Sequence, residues 1–441
     1  MNYNIGMISL GCAKNRTDSE IMLGVLSQKG HRIVSEPSEA DVLIVNTCGF
    51  IEAAKQESID TILEMAQYKE GKCKLLVVTG CLAERYNEEV LKEFPEINAI
   101  VGVGDYHKIA DIIEEAMNGA RPAIFGHMNC DVPEGLPRVL TTGNVTAYIK
   151  ISEGCDNNCT YCAIPKIRGK YRSRRKEDIV SEARELAESG IKELIVIAQD
   201  TTRYGIDIYG KYSLAELLKE LCSIDGFEWI RVHYFYTEAV TDELIKLFAS
   251  EPKLCPYIDM PIQHINNTIL RRMARRTTGE QIKQTISKMR KAIPELAIRT
   301  SIIVGFPGET EDQFLELCEF IKQARLERVG VFAFSEEEGT PAADFPDKID
   351  EETKNRRLEA LMEIQRKISL ENNTQKLGKM ITVLCEGYDE ESYLYYGRSK
   401  ADSVDVDGCV YFAADREVLP GEFVTVEVLD CDEYDLTGKT V

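Results

Sequence analysis

No apolar run in this 441-residue chain approaches the ~20 residues that a membrane-spanning helix requires. The first residues also lack the charged-then-apolar pattern of a secretory signal. The expected location is therefore cytoplasmic, with no membrane partner. Positive charge is scarce as well: 53 Lys and Arg stand against 74 Asp and Glu, a formal net charge of −21. Such a surface repels a polyanion, so nucleic acid is a poor default partner unless a basic face is segregated, whereas a basic protein is attracted. The turn Gly305-Phe306-Pro307-Gly308 is not followed by Gly-Lys-Ser/Thr, which speaks against a phosphate-binding loop there. Without a secretory signal, fourteen cysteines do not form a disulfide framework. What remains is an ordinary globular composition, 44% apolar and 29% charged, long enough for two or three domains with their own cores.

Six of the cysteines are patterned. In Gly154-Cys155-Asp156-Asn157-Asn158-Cys159-Thr160-Tyr161-Cys162, three thiols form a compact claw. A closed zinc site needs four ligands, whereas three thiolates suit a 4Fe–4S cluster with one iron left open for a small molecule. The plainer alternatives are a zinc knuckle with a distant fourth ligand, or three unrelated buried thiols. The second set is Cys12, Cys48 and Cys81, each closing a short apolar run: Ile5–Leu10, Asp41–Thr47 and Lys74–Gly80. These runs alternate with helical patterns, as in βα units of a parallel sheet buried on both faces. In such a sheet all carboxyl ends share one edge, where open α/β sheets bind ligands, so the three thiols can converge. A second three-thiolate cluster competes here with small buried residues at strand ends. Gly11, Gly49 and Gly80 are expected to let backbone approach the cluster closely. Cys73, Cys130, Cys222, Cys255, Cys318, Cys385, Cys409 and Cys431 have no ligand spacing and read as buried or incidental thiols.

The CxxxCxxC claw, with Tyr161 before its last cysteine, resembles the radical S-adenosylmethionine (SAM) superfamily. Ser9-Leu10-Gly11-Cys12-Ala13-Lys14-Asn15 with Asp18-Ser19-Glu20 resembles the N-terminal domain of the methylthiotransferases. Asn46-Thr47-Cys48-Gly49-Phe50-Ile51 and Ala54–Asp60 are similar to the branch that modifies a ribosomal protein; Lys14 and Phe50-Ile51 depart from the tRNA branch. This resemblance implies a methylthio group placed on the β-carbon of an aspartate of small-subunit ribosomal protein S-twelve. An sp³ C–H bond is not activated by a base, so a radical takes its hydrogen. The resemblance further implies two 4Fe–4S clusters: Cys155, Cys159 and Cys162 binding SAM, and Cys12, Cys48 and Cys81 carrying sulfur. It also implies an electron donor such as flavodoxin or ferredoxin, and contact with nucleic acid only through the ribosome. A tRNA adenosine methylthiotransferase is the same-class alternative; an iron–sulfur electron carrier is the alternative from another class.

The expected architecture is α/β in three parts: a parallel-sheet domain over 1–126, a linker over 127–145, a radical SAM domain over 146–371 and a small antiparallel β-barrel over 372–441. In the middle part, six strand candidates (Thr146–Ile151, Leu194–Ala198, Trp229–Tyr234, Tyr257–Met260, Ile298–Val304, Val329–Phe334) predict a partial (β/α)6 barrel with active residues at carboxyl ends. The resemblance places Gln199 and Asp200 where such enzymes bind the SAM amino group, and gives Arg299 and Ser301 as candidates for its carboxylate or ribose, with Tyr161 beside the claw. His264 is the histidine best placed for chemistry, although a lone histidine is more often structural. Lys166–Lys176 is the most basic stretch, either a solvated loop or a contact to an anionic group. The last part resembles a TRAM domain. From residue 373 it carries fifteen Asp and Glu against six Lys and Arg, a net of −9, which favours a cationic partner over RNA.

Overall fold

In the first part of the computed structural model, β-branched runs make buried strands, as two-sided parallel sheets require. The structure describes residues 2–126, 128–129 and 132–441; His127 and Cys130 lie outside the described residues. Strands β1 (Asn4–Ser9), β2 (Arg32–Ile33), β3 (Val42–Thr47), β4 (Leu75–Gly80), β5 (Ala99–Val101) and β6 (Ala123–Ile124) form one sheet in the order β2-β1-β3-β4-β5-β6. All its pairs are parallel. Three of these strands, β2, β5 and β6, are two or three residues long and too short to register as periodic runs.

The helix Ala13–Gln28 is unusual. Its first turns bury Lys14, Asn15, Thr17, Asp18, Ser19 and Glu20, where an ordinary surface helix would bury an apolar stripe. Buried polar groups demand partners, and these come from the middle of the chain. There, β7 (Thr146–Lys150) leads through β8 (Ser152–Glu153), which pairs with β9 (Arg172–Ser173). Strands β10 (Glu193–Ile197) and β11 (Trp229–Val232) join β7 in the order β11-β10-β7, and β12 (Tyr257–Asp259), β13 (Ala297–Val304) and β14 (Arg328–Ala333) form a second parallel set. The two sets meet where Ile230 bridges Leu254 and Phe235 N–H donates to the Asp259 carbonyl at 2.8 Å. The result is an open, six-stranded partial barrel.

The C-terminal barrel contains β15 (Met380–Asp389), β16 (Leu394–Arg398), β17 (Val410–Ala413), β18 (Phe423–Cys431) and β19 (Leu436–Thr440), closed in the order β15-β16-β17-β19-β18. It departs from the expected all-antiparallel barrel because β17 and β19 run parallel. The β16–β17 loop enters the partial barrel from below. Val404 packs on Tyr148, Ile195 and Ile197 together with Ala13 and Tyr234, Tyr257 donates to Asp407 at 2.6 Å, and Ser403 meets His233 Nε2 at 2.8 Å.

The segment before β7 is a clasp more than a spacer. Buried Arg138 pairs with Glu20 at 2.5 Å and with Glu182 at 2.9 Å, so it ties the first helix to the middle domain. A second tie is Glu193, fully buried between Arg398 at 2.6 Å and Arg231 at 2.8 Å. Burial works to raise its carboxyl, but the two guanidiniums outweigh that and hold it down to about 2.

Glu193→Gln is therefore expected to cost about 3–5 kcal/mol at neutral pH, because it leaves a buried arginine pair unbalanced. A carboxyl lowered from 4.5 to about 2 stabilises above its unfolded value and loses that contribution as pH falls through the folded one. The gap between wild type and variant should narrow over that window, as read by denaturant unfolding at each pH.

Candidate functional site

The sheet register decides where the first three cysteines lie. Ser9 is paired with Asn46 and Thr47 with Gly80, so β1, β3 and β4 end level and Cys12, Cys48 and Cys81 emerge together at one edge. Cys12 is exposed, Cys48 half-buried and Cys81 buried. Burial pushes the Cys81 thiol up to about 11; Arg168 opposes this, while Cys12 and Cys48 add to it. The glycines serve packing between the cysteine-bearing turns. A Cβ on Gly11 (φ +84°) would stand 3.0 Å from Cys48 Sγ, and one on Gly80 (φ +95°) would strike the Thr47 carbonyl.

The claw lies on a loop after β8, pinned by backbone bonds from Cys155 N–H to Gly169 O (3.1 Å) and from Thr160 N–H to Met273 O (3.1 Å). Cys155 and Cys159 are buried and Cys162 half-buried. Burial lifts the Cys155 thiol to about 12 and the Cys162 thiol further. Arg275 Nη1 and the Tyr236 hydroxyl each lie 4.0 Å from Cys159 Sγ. Neither was visible as a site residue in the sequence, since both sit far downstream on turns without a motif. Tyr161 packs beside Ile269, Met273 and Phe306.

The donor chemistry of both triads fits an iron–sulfur cluster. Among the described residues no three His, Cys, Asp or Glu side chains gather closely enough to share one metal ion. Cysteine thiolates are the ligands that such clusters take from a protein.

Asp200 is buried at 1% exposure. It accepts from Asn157 Nδ2 at 2.8 Å and Thr202 Oγ1 at 2.6 Å, both neutral donors, and burial raises its carboxyl. Gln199 Nε2 donates to Glu153 at 2.9 Å while its buried Oε1 has no partner. Both acceptors therefore suit an added ammonium group. Arg299 is placed otherwise: it pairs with Asp259 at 3.1 Å and reaches Asp407 of the inserted loop at 3.7 Å. It would have to surrender these partners to hold a carboxylate. Ser301 is half-buried on the same side of β13 as Arg299. His264 is fully buried and locked: Nδ1 accepts from Asn266 N–H at 2.9 Å, leaving Nε2 to donate to Glu309 at 3.1 Å. Glu309 in turn takes Arg357 at 2.7 Å. That is a structural histidine.

The basic stretch contributes the link between the two triads. Arg168 ends the short helix Ile164–Arg168, which begins two residues past Cys162 and packs Ala163 and Ile167 on Cys81. Its guanidinium, 2% exposed, meets Asp18 at 2.9 Å, Glu153 at 3.1 Å, Asn15 Oδ1 at 2.6 Å and Cys81 Sγ at 3.6 Å. Lys150 completes the group, at 2.5 Å from Asp18 and 2.7 Å from Glu153.

Comparison with known proteins agrees with this layout. Residues 4–102 match the model described as uncharacterized protein family UPF0004, 149–321 the radical SAM superfamily and 377–441 the TRAM domain. Solved structures that share the fold include the radical SAM methyltransferase TsrM from Kitasatospora setae (TM-score 0.57, 14% identity, 77% of this chain and 74% of that one). The cobalamin-dependent radical enzyme OxsB is another (TM-score 0.54, 13% identity, 83% and 56%). The ribosomal protein uS12 methylthiotransferase RimO of Thermoanaerobacter sp. is 50% identical over 99% of both chains. That of Clostridioides difficile is 53% identical over 99% of this chain and 98% of its own. With such identity along its whole length, and with one cysteine triad at three strand ends and the other on the loop after β8, the chain belongs to the RimO family of radical SAM methylthiotransferases.

Proposed function

We propose that this chain transfers a methylthio group to the β-carbon of an aspartate in ribosomal protein S-twelve. The observation that carries this reading is the pair of cysteine triads flanking one short helix, Ile164–Arg168. One radical-generating triad alone would serve many reactions; a second triad across the same helix suits the addition of sulfur. Membership of the superfamily brings SAM and a 4Fe–4S cluster, for which Cys155, Cys159 and Cys162 are the proposed ligands. Cys12, Cys48 and Cys81 are the proposed ligands of a second, auxiliary cluster. When bound, these groups supply the 5′-deoxyadenosyl radical and the sulfur that the protein itself lacks.

The protein's own residues orient and enclose. Asp200 would accept the SAM ammonium, which replaces the missing cation beside a buried carboxylate. Gln199 Oε1 would take a second donor, and Tyr161, Tyr236 and Arg275 wall the claw, excluding water from a reactive centre. Ser301 is the remaining candidate for a polar SAM contact from β13. The carboxylate-rich C-terminal barrel suits a cationic ribosomal protein through long-range attraction. A flavodoxin or ferredoxin as electron donor and a cytoplasmic setting complete the reading. No described helix is long and apolar enough to cross a membrane.

Two results test this. After anaerobic reconstitution, Cys12→Ala should fall from two clusters per chain to one by iron and sulfide analysis. It should still form 5′-deoxyadenosine under reductant, yet add no methylthio group to S-twelve by mass spectrometry. A wild-type protein that modifies tRNA and ignores S-twelve would sink the substrate assignment. Asp200→Asn should keep both clusters but weaken SAM binding by roughly tenfold to a hundredfold. That is the ~1.5–3 kcal/mol value of a hydrogen bond to a charged group, read from 5′-deoxyadenosine formation against SAM concentration.

A further inference from the structure

A ligating cysteine must be a thiolate, and Cys81 is the buried one of its triad. As a thiol it lies 3.7 Å from Asn15 Oδ1 and can donate to it. As a thiolate it has no proton to give, and it needs a donor. Arg168 Nη2 stands 3.6 Å from the sulfur. Its direction is fixed at both ends: Nη2 also donates to Asn15 Oδ1 at 2.6 Å, while Nη1 is held by Asp18 and Glu153 at 2.9 and 3.1 Å. A guanidinium offers this because its donors lie in one rigid plane; an ammonium cannot serve both sides at once.

We propose that Arg168, reaching across from the middle domain, is a positioning residue that donates a charge-assisted hydrogen bond to the Cys81 thiolate and thereby sets the reduction potential of the auxiliary cluster. The inference rests on the two-cluster reading above. A donor to a cluster thiolate withdraws electron density from the sulfur and favours the reduced, more negative state. Because Arg168 also contacts Glu153, two residues before Cys155, the residue that closes the claw's helix tunes the other triad. The two ion-paired carboxylates anchor it; the sulfur and Asn15 receive its working edge.

The test is a dithionite titration followed by EPR, on the full chain with Cys155, Cys159 and Cys162 replaced by Ala, so that the auxiliary signal stands alone. Arg168→Lys keeps a positive charge for Asp18 and Glu153, and so holds the fold even where Arg168→Gln does not. The expected result is an unchanged iron and sulfide count with a midpoint moved to more negative potential. A tenfold loss in the reduction equilibrium corresponds to about 59 mV for this one-electron couple. An unchanged midpoint in Arg168→Lys, with its cluster intact, overturns the inference while leaving the two-cluster reading in place. A wild-type count of one cluster removes that reading, and the inference falls with it.

Discussion

Four buried charges, Asp18 and Glu153 against Lys150 and Arg168, hold the first domain to the second. They balance in number, which is the condition for burying ions at all: each desolvated charge costs several kcal/mol unless a partner and further hydrogen bonds offset it. Such a group adds little net stability over an apolar contact. What it adds is position, since a misplaced carboxylate is far costlier than a misplaced leucine. Both triads depend on that position. Asp18 and Asn15 lie in the helix that starts just after Cys12; Glu153 and Arg168 bracket the claw.

The same constraint explains the polar first helix. Its second half buries Met22 and Leu26 in the first domain's own core, whereas the buried polar residues of its first turns make sense only against a second domain. Burial of Glu20 under Arg138 and Thr141 shows the pattern again. The chain's acidic surplus thus coexists with internal arginines that are almost all spent on pairing carboxylates.

Much of this was legible in the sequence because it is local. The cysteine-bearing strands, the claw and the glycine turn at Gly305 each follow from runs of a few residues. What was not legible depends on partners distant in the chain. Arg299 looked available because alternation along β13 cannot reveal Asp407 in another domain. Arg168 looked like one member of a charge run, either solvated or set against an anionic group, though it is nearly inaccessible. His264 was the histidine best placed for chemistry but carried the usual weight toward a structural role, and only Glu309 and Asn266, which fix both ring nitrogens, decide for the latter. In the last barrel, Leu436–Thr440 lacks alternating apolar residues, and its parallel pairing with Val410–Ala413 is set by closure of the barrel, which no local pattern encodes.

The loop between β16 and β17 has a further consequence. With Val404 seated on Tyr148, Ile195 and Ile197, and Asp407 and Ser403 bonded to Tyr257 and His233, the amino-terminal mouth of the partial barrel has a floor. The end of the barrel that the loop fills is thus closed by the chain itself, and the first cysteine triad stands at the opposite, carboxyl edge of its own sheet.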